Sequence, residues 1–244
     1  MKYMGSKARI AKHILPIMLK HRKKGQWWVE PFVGGANMID KVKGNRLGAD
    51  LNNYLISLLQ HCEKGLSNEL PDKISEDEYN HIKNNFDQYE DHLIAHCGFN
   101  ATFGAKWFGG YARARKATGY DRDVACGKNS LVKAMPLLKN VYFKCSAYFD
   151  LIIPKNSVIY CDPPYKGATK YKDGFCHARF WDWCRAKAKA GHQIFVSEYN
   201  APADFVCVWQ KEIHSGLNTN STKKGIEKLF VHKSQVESDY ESLY

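Results

Sequence analysis

Residues 158–165 read Val158-Ile159-Tyr160-Cys161-Asp162-Pro163-Pro164-Tyr165, four residues suited to a buried strand followed by an acid, two prolines and an aromatic residue. Proline has a fixed φ and no backbone N–H, so the pair ends the strand. Asp162 and Tyr165 therefore follow the strand's carboxyl end, the edge where open α/β sheets bind ligands. The pattern predicts a binding site made of one carboxylate, proline carbonyls and one flat ring.

A first strand is predicted over residues 26–32, and Glu30-Pro31-Phe32-Val33-Gly34-Gly35-Ala36 overlaps its end. A strand, a glycine pair and then a helix, expected to begin near Asn37, is how a Rossmann-like fold starts. The glycines let the backbone approach a cofactor closely. The pair is not GxGxxG, which argues against an NAD-dependent oxidoreductase.

Residues 46–49 form the second predicted strand, which ends in Asp50. An acid there, twenty residues after Glu30, is placed to bind both hydroxyls of a ribose. The alternative is that Asp50 caps the helix predicted over residues 51–60, because Asp is a favoured N-cap. Asn52 suits either role.

Later strands are predicted over residues 141–145, 193–197, 205–209 and 229–232, with helices over 130–138 and 180–190. Residues 62–130 lack strand patterns, and Ser75 with Glu78 predicts a capping box for a helix that extends to about residue 88. The chain is therefore expected to be an α/β fold, residues 1–61 and 131–244, with a mainly helical and loop module inserted at 62–130.

The inserted stretch 98–111 alternates aromatic residues, Trp107 among them, with glycines, and basic residues follow at 113, 115 and 116. Basic residues laced with aromatics suit phosphate contact and base stacking, so Arg113, Arg115 and Lys116 are candidates for nucleic-acid binding. The alternative interpretation is a small aromatic core under a loop, with the basic residues on a solvated face.

The 244 residues carry a formal net charge of +11, which favours a polyanionic partner, although a merely soluble basic protein is the alternative. The chain has no apolar run of roughly 20 residues and no apolar stretch near Met1, so we expect an intracellular protein and no membrane partner. None of the eight cysteines forms a CxxC pair, so we expect buried thiols and no metal.

These motifs together resemble the Dam-type (D12 class) family of DNA adenine-N6 methyltransferases, along most of the chain and in the family's order. The quoted stretches that carry the resemblance are Tyr3-Met4-Gly5-Ser6-Lys7, Glu30-Pro31-Phe32-Val33-Gly34-Gly35, Asp50-Leu51-Asn52, Asp162-Pro163-Pro164-Tyr165, Ser197-Glu198-Tyr199-Asn200, and the run from Asn220 to Leu229.

The resemblance implies a Rossmann-like class I methyltransferase sheet, the cofactor S-adenosylmethionine, double-stranded DNA as partner, and a cytoplasmic, nucleoid-associated protein of a prokaryote or phage. It implies that residues 62–130 recognise the DNA target. By resemblance the cofactor is bound by Tyr3, Lys7, Glu30, Phe32, Gly34, Gly35, Asp50 and Asp162. Asp162, Pro163, Pro164 and Tyr165 are the implied catalytic residues. Trp107, Tyr171, Lys223 and Lys224 complete the expected DNA contacts.

Two alternatives stay open from the residues. The same carboxylate and ring serve any planar amine, so cytosine N4, adenine in RNA or a glutamine side chain are rival acceptors. A non-catalytic DNA-binding protein explains the charge and the aromatic segment, but it leaves the Asp162 motif and the cofactor motifs unexplained. Cys161 precedes Asp162, and alternation along the strand turns its side chain to the other face, so we interpret it as a core residue.

Overall fold

The computed structural model describes residues 1–113, 122–166, 174–214 and 224–236. Within these ranges lie six α-helices and seven strands. The helices are α1 (Ala11–Leu19), α2 (Asn53–Glu63), α3 (Glu76–Asn84), α4 (Asp91–Asn100), α5 (Arg122–Leu138) and α6 (His177–Lys189). The strands are β1 (Trp28–Glu30), β2 (Arg46–Asp50), β3 (Val141–Cys145), β4 (Val158–Cys161), β5 (Gln193–Glu198), β6 (Phe205–His214) and β7 (Lys224–His232).

The chain divides into two compact units. The first unit comprises Met1–Lys12 and Val33–Leu151, and the second comprises His13–Phe32 and Ile152–Tyr244. Strands β2 and β3 belong to the first unit, whereas the other five belong to the second. The predicted boundaries of the inserted module, 62 and 130, stay a prediction.

The second unit has a mixed sheet in which β4 lies between β1 and β5. β1 pairs with β4, and β4 with β5, in parallel. β5 then pairs with β7, and β7 with β6, in antiparallel register. The three parallel strands therefore end at one edge, and the segments that follow β4 and β5 emerge beside each other.

The core of the second unit is formed by side chains that the strand pattern marks as apolar. All four residues of β4 are buried, and Val196 on β5 is fully so. Phe180 and Cys184, one turn apart on α6, are also fully buried. Because β4 is buried along its length, the residues just after it are held at a fixed height above the sheet edge.

In the first unit, β2 and β3 pair in parallel from Arg46 opposite Val141 to Asp50 opposite Cys145. The buried guanidinium of Arg46 donates to the carbonyls of Leu137, at 2.6 Å, and Lys139, at 2.7 Å. These carbonyls end α5, where helical acceptors lack internal partners. Arg46 thus ties the start of β2 to the end of α5.

Two helix starts confirm sequence signals. Ser75 and Glu78 form the predicted capping box of α3, with Glu78 N–H 3.1 Å from Ser75 Oγ. The helix ends earlier than predicted, at Asn84, and a short 3-10 turn follows. The helix predicted over residues 51–60 is observed as α2.

The helix predicted near Asn37 is wrong, because only a 3-10 turn, Ile39–Lys41, forms there. The side chain of Asn37 exchanges hydrogen bonds with the amine and carbonyl of Met1, at 3.1 Å each. Ala36 adopts a positive φ of 56°. The side chain of Asn37 therefore fixes the N-terminus after a turn that a regular helix does not accommodate.

Parallel strands joined through helices and closed by an antiparallel pair confirm the α/β class expected from the sequence. Within the part of the chain that the structure describes, no helix has the length and apolarity needed to cross a membrane.

Candidate active site

The motif Asp162-Pro163-Pro164-Tyr165 lies directly after β4, at the carboxyl edge of the second unit's parallel strands. Asp162 and Tyr165 are half-buried, whereas Pro163 is buried. Cys161 pairs with Val196 on β5, so the segment after β5 emerges next to the motif. The strand end and the two prolines therefore place the acid and the ring where the sequence predicts them.

The phenol of Tyr165 lies near two carboxylates, Glu227 and Asp162. Its hydroxyl donates to Glu227 Oε2 on β7 at 2.8 Å. The rings of Tyr165 and Tyr199 form a T-shaped pair, with centroids 4.7 Å apart and planes at 86°. Burial, with the charges of Asp162 and Glu227, raises the pKa of Tyr165 well above its usual value, so the phenol is a hydrogen-bond donor at neutral pH.

Glu198, the last residue of β5, is a buried carboxylate with both oxygens engaged. Oε2 accepts the backbone N–H of Lys166 at 3.1 Å, and Oε1 accepts that of Tyr199 at 2.7 Å. His177 Nδ1 lies 3.9 Å from Oε2. Burial and the nearby Lys166 charge lower the pKa of His177. Glu198 therefore fixes the chain that leaves the motif.

Two buried hydroxyl groups, of Tyr160 on β4 and Ser197 on β5, meet just before the carboxyl ends of these strands. The Tyr160 hydroxyl lies 2.9 Å from Ser197 Oγ on the neighbouring strand. The Trp28 indole N–H donates to Glu30 Oε1 at 2.7 Å, and the Trp28 ring stacks on Tyr160. Glu30, expected at the cofactor, is thus a buried carboxylate oriented by Trp28.

Phe32, also expected at the cofactor, lies in an aromatic group of the second unit. Its ring meets Phe175 and Phe180 edge-on, at centroid distances of 5.9 and 5.7 Å. Phe180 is fully buried on α6. The rings of the two phenylalanines therefore determine the orientation of Phe32.

Cys161 is a core residue, as predicted. Its side chain is fully buried beside Cys184, and burial raises the pKa of its thiol. A protonated thiol in the core is a poor nucleophile.

In the first unit, Asp50 is the last residue of β2, and its carboxylate accepts the backbone N–H groups of Gly34 and Asn52. Gly34 N donates to Oδ2 at 3.2 Å, and Asn52 N donates to Oδ1 at 3.1 Å. Burial raises the pKa of Asp50, while these hydrogen bonds act in the opposite direction. The N-cap of α2 is Asn52, whose Oδ1 accepts Leu55 N–H, so the N-cap alternative for Asp50 is wrong.

Gly34 and Gly35 lie against Tyr3. A β-carbon on Gly34 would lie 2.9 Å from Tyr3 Cε1, and one on Gly35 would lie 2.6 Å from Tyr3 Cβ. Only glycine permits this approach, and Gly34 also has a positive φ of 47°. Lys7, a buried residue, donates to Gly5 O at 3.2 Å and orders the N-terminal loop.

This donor and acceptor set suits S-adenosylmethionine. The Asp50 carboxylate accepts backbone N–H groups and, with about four lone-pair sites on its two oxygens, keeps acceptor capacity for a ribose hydroxyl. The glycine turn provides bare backbone beside an aromatic ring. The first unit therefore has the features that a nucleoside needs, and the cofactor assignment of its residues stays a prediction.

The aromatic segment of the inserted stretch is a packed cluster. Trp107 stacks on Tyr54, with centroids 5.4 Å apart and planes at 20°, and it also meets Phe99 at 4.9 Å. A β-carbon on Gly98 would lie 2.7 Å from Trp107 and from Phe108. Trp107 thus fits the aromatic-core alternative, and its part in DNA binding stays untested.

Sequence reasoning missed Phe103 in the same segment. Its side chain is 75% exposed at the base of a small hairpin loop, which is closed by the pairing of Thr102 with Tyr111 and by Phe103 N–H donating to Gly110 O. The neighbouring Gly104 has a positive φ of 68°, which suits a tight turn. A glycine directly after Phe103 was therefore the signal in the sequence for this turn.

A groove of about 670 Å³ adjoins this hairpin within the first unit. Lys2, Ser130 and Lys133 line it, together with Thr102. The Thr102 hydroxyl is buried and has no protein hydrogen-bond partner. The groove thus combines cationic and hydroxyl groups with one acidic residue, Asp40.

The remaining predicted DNA contacts have mixed outcomes. Arg113 forms a two-bond pair with Glu76 on α3, at 2.7 and 3.0 Å, which raises its pKa. Arg115, Lys116, Tyr171 and Lys223 lie outside the described residues, as does the side chain of Lys224. Across the described ranges, no group of three or more His, Cys, Asp or Glu side chains suits a metal ion.

Comparison with known proteins agrees with these motifs. Residues 3–215 match the family model described as "D12 class N6 adenine-specific DNA methyltransferase". The chain is 27% identical over 261 aligned positions to the type II methyltransferase M.FokI of Planomicrobium okeanokoites. That match covers 96% of the chain and 38% of the relative, so the chain spans well under half of that protein. Because the family model matches most of its length, the chain belongs to the D12 class of N6 adenine-specific DNA methyltransferases.

Proposed function

We propose that this chain transfers the methyl group of S-adenosylmethionine to the exocyclic N6 amine of adenine in DNA. The observation that carries the proposal is the motif Asp162-Pro163-Pro164-Tyr165 at the end of β4, in a chain that belongs to the D12 class. The relative M.FokI is described as a type II methyltransferase, and we extend site-specific methylation to this chain on that likeness.

The adenine amine is a weak nucleophile, because its lone pair is delocalised into the ring. Asp162 and the carbonyl of Pro163 accept its two N–H groups, which draws the nitrogen towards a tetrahedral geometry. Their negative charge and dipole also stabilise the positive charge that develops on nitrogen. The proton leaves from the methylated amine, and Asp162 is the acceptor nearest to it.

Tyr165 offers a face on which the target base stacks. The amine lies inside the duplex until the nucleotide is flipped out, and that step costs a few kcal/mol of unstacking. Stacking of the base on Tyr165 recovers part of that cost. Because the ring already has a fixed orientation, no further free energy is spent on ordering it when the base binds.

S-adenosylmethionine supplies an electrophilic methyl on a sulfonium. In the first unit, Asp50 accepts the ribose hydroxyls, Gly34 and Gly35 allow close backbone approach, and Tyr3 packs against the nucleoside. Lys7 orders the loop that carries Tyr3. We also assign Glu30 and Phe32 to the binding of the cofactor.

DNA contact is proposed for the hairpin of the first unit and its adjoining groove. Phe103 is exposed beside the bridge that closes the hairpin, and Lys2 and Lys133 bring positive charge to the groove. Phosphate contacts supply most of the affinity, whereas an exposed ring suits stacking or wedging between bases.

Asp162→Ala tests the reaction centre. We expect methyl transfer to fall by about a hundredfold to a thousandfold, the loss typical of removing preorganised stabilisation of developing charge. DNA affinity should remain within about threefold, because phosphate contacts dominate it. Asp77→Ala, an exposed acid on α3, is the matched control. Retained methyl transfer by the Asp162 variant would contradict the proposed mechanism.

A further inference from the structure

Tyr165 and Lys166, consecutive residues of the motif segment, are each held by a different glutamate. Glu227 on β7 accepts the Tyr165 hydroxyl at 2.8 Å, and Glu198 on β5 accepts the Lys166 backbone N–H at 3.1 Å. Neither glutamate belongs to the motif, and Glu227 lies 62 residues beyond Tyr165 along the chain.

The strand register shows how the two carboxylates reach one segment. β5 and β7 are antiparallel neighbours, and Glu198 pairs with Lys228. Paired residues share a face of the sheet, and successive residues alternate, so Glu227 belongs to the opposite face from Lys228 and Glu198. The segment is therefore held from both faces of the β5–β7 ribbon.

We infer that Glu227 and Glu198 are positioning residues that set the plane of the Tyr165 ring against which the target base stacks. This inference rests on the proposed function, since it assumes that Tyr165 receives the base. It assigns to β7 the role of aligning the motif, beyond completing the sheet.

The chemistry of the phenol supports a positioning role. Stacking uses the ring face, which phenylalanine also offers, so the hydroxyl is not required for stacking itself. A hydroxyl that donates to a carboxylate makes a charge-assisted bond, which restrains the ring more strongly than a neutral one. The T-shaped contact with Tyr199 restrains the ring from a second side.

The experiment compares Glu227→Ala, Glu227→Gln, Tyr165→Phe and the double variant Glu227→Ala/Tyr165→Phe. Ile226→Ala, an exposed neighbour on β7, is the matched control. Readouts are kcat and KM for DNA, thermal unfolding, and the fluorescence of 2-aminopurine placed at the methylated position, which reports the stacking of the flipped base.

We expect Glu227→Ala and Tyr165→Phe each to lower kcat about tenfold, equivalent to about 1.4 kcal/mol. The double variant should be no slower than either single variant, because both remove one interaction. Glu227→Gln should recover most of kcat, since its amide oxygen still accepts the hydroxyl. The 2-aminopurine signal should rise in the slow variants, because the base is less firmly stacked, and KM should change less than kcat.

Unchanged kcat in Tyr165→Phe, or single effects that multiply in the double variant, would overturn the inference. If Glu227→Ala fails to fold, Tyr165→Phe alone decides it, because the ring and the strand remain. Failure of the proposed function looks different: the unaltered protein would then form no N6-methyladenine. An active protein with full-rate Tyr165→Phe contradicts only the positioning role.

Discussion

The aromatic segment of the first unit, residues 98–111, and the motif rim of the second unit, residues 160–166, are both rich in aromatic residues but are supported differently. In the segment, the aromatic rings are held by packing against one another: Trp107 stacks on Tyr54 and contacts Phe99. In the rim, the residues are held by hydrogen bonds to carboxylates: Glu227 accepts the Tyr165 hydroxyl, and Glu198 accepts the backbone N–H of the next residue, Lys166.

The difference shows which aromatic residues are available for a ligand. A ring fixed by neighbouring rings uses its faces for packing, so its removal costs stability. A ring fixed through its hydroxyl and one T-shaped ring contact keeps a face for another partner. We therefore expect substitutions in the two regions to separate loss of activity from loss of stability.

Among the aromatic residues of the two regions, the largest effect is expected at Tyr165. Tyr165→Ala should lower methyl transfer at least about a hundredfold, because base–aromatic stacking contributes about 1–3 kcal/mol and the flipped base also loses its alignment. The measurement is single-turnover methylation with saturating DNA. Activity within about threefold of the unaltered protein would place the base elsewhere.

The second effect concerns His96, which lies in the buried support of the aromatic segment. Its Nδ1 lies 3.0 Å from Asn100 Nδ2, and its Nε2 lies 3.0 Å from Pro71 O. Burial lowers its pKa from 6.5 to about 4. Since the unfolded chain binds the proton more tightly, stability is complete above pH 6.5 and is lost as pH falls towards 4.

One pKa unit equals about 1.4 kcal/mol, so the His96 contribution across that window is roughly 3 kcal/mol. Urea unfolding from pH 4.5 to 7 measures it. His96→Gln should show a pH dependence flatter by that amount, whereas Asn80→Gln, a change at an exposed, non-ionising residue of α3, should leave the pH dependence unaltered. Identical slopes in the His96 variant and the unaltered protein would show that His96 titrates normally.

A third prediction concerns Trp107. Trp107→Ala should destabilise the protein by about 2–3 kcal/mol, less than the roughly 3–5 kcal/mol of a fully buried ring, because the side chain is half-buried. Chemical denaturation measures the change. Below the unfolding transition, kcat should stay within about threefold, and a loss like that of Tyr165→Ala with full stability would erase the distinction between the two regions.

The smallest effect is expected at Arg113. Arg113→Gln should reduce the slope of log Kd against log salt concentration by about one, with equal weakening on all DNA sequences, as a single phosphate contact does. Glu76→Gln serves as the companion variant, since it frees the Arg113 guanidinium. An unchanged slope in Arg113→Gln would assign this side chain to Glu76 alone.

Local sequence signals located the rim well. Proline chemistry places Asp162 and Tyr165 at a strand end, and the same edge geometry locates Asp50. The partners of Tyr165 were beyond local reasoning, because Glu227 meets it only through the pairing of β7 with β5. Periodicity predicts strands, but it does not say which strands become neighbours.

The aromatic segment shows the opposite limit. Composition marks Trp107 and Phe103 alike, yet Trp107 packs against Tyr54 and Phe99 whereas Phe103 is exposed. The helix expected near Asn37 failed for a similar reason, because Met1, distant in sequence, binds the Asn37 side chain. Each miss comes from a contact made by residues far apart in the chain.

The central claim is tested most directly by the identity of the methylated base. DNA lacking adenine methylation is incubated with the protein and labelled S-adenosylmethionine, digested to nucleosides and analysed by mass spectrometry. We expect label in N6-methyladenine alone, at discrete sites, and none with Asp162→Ala. Label in N4-methylcytosine, in RNA alone or in no nucleoside would contradict the proposed function.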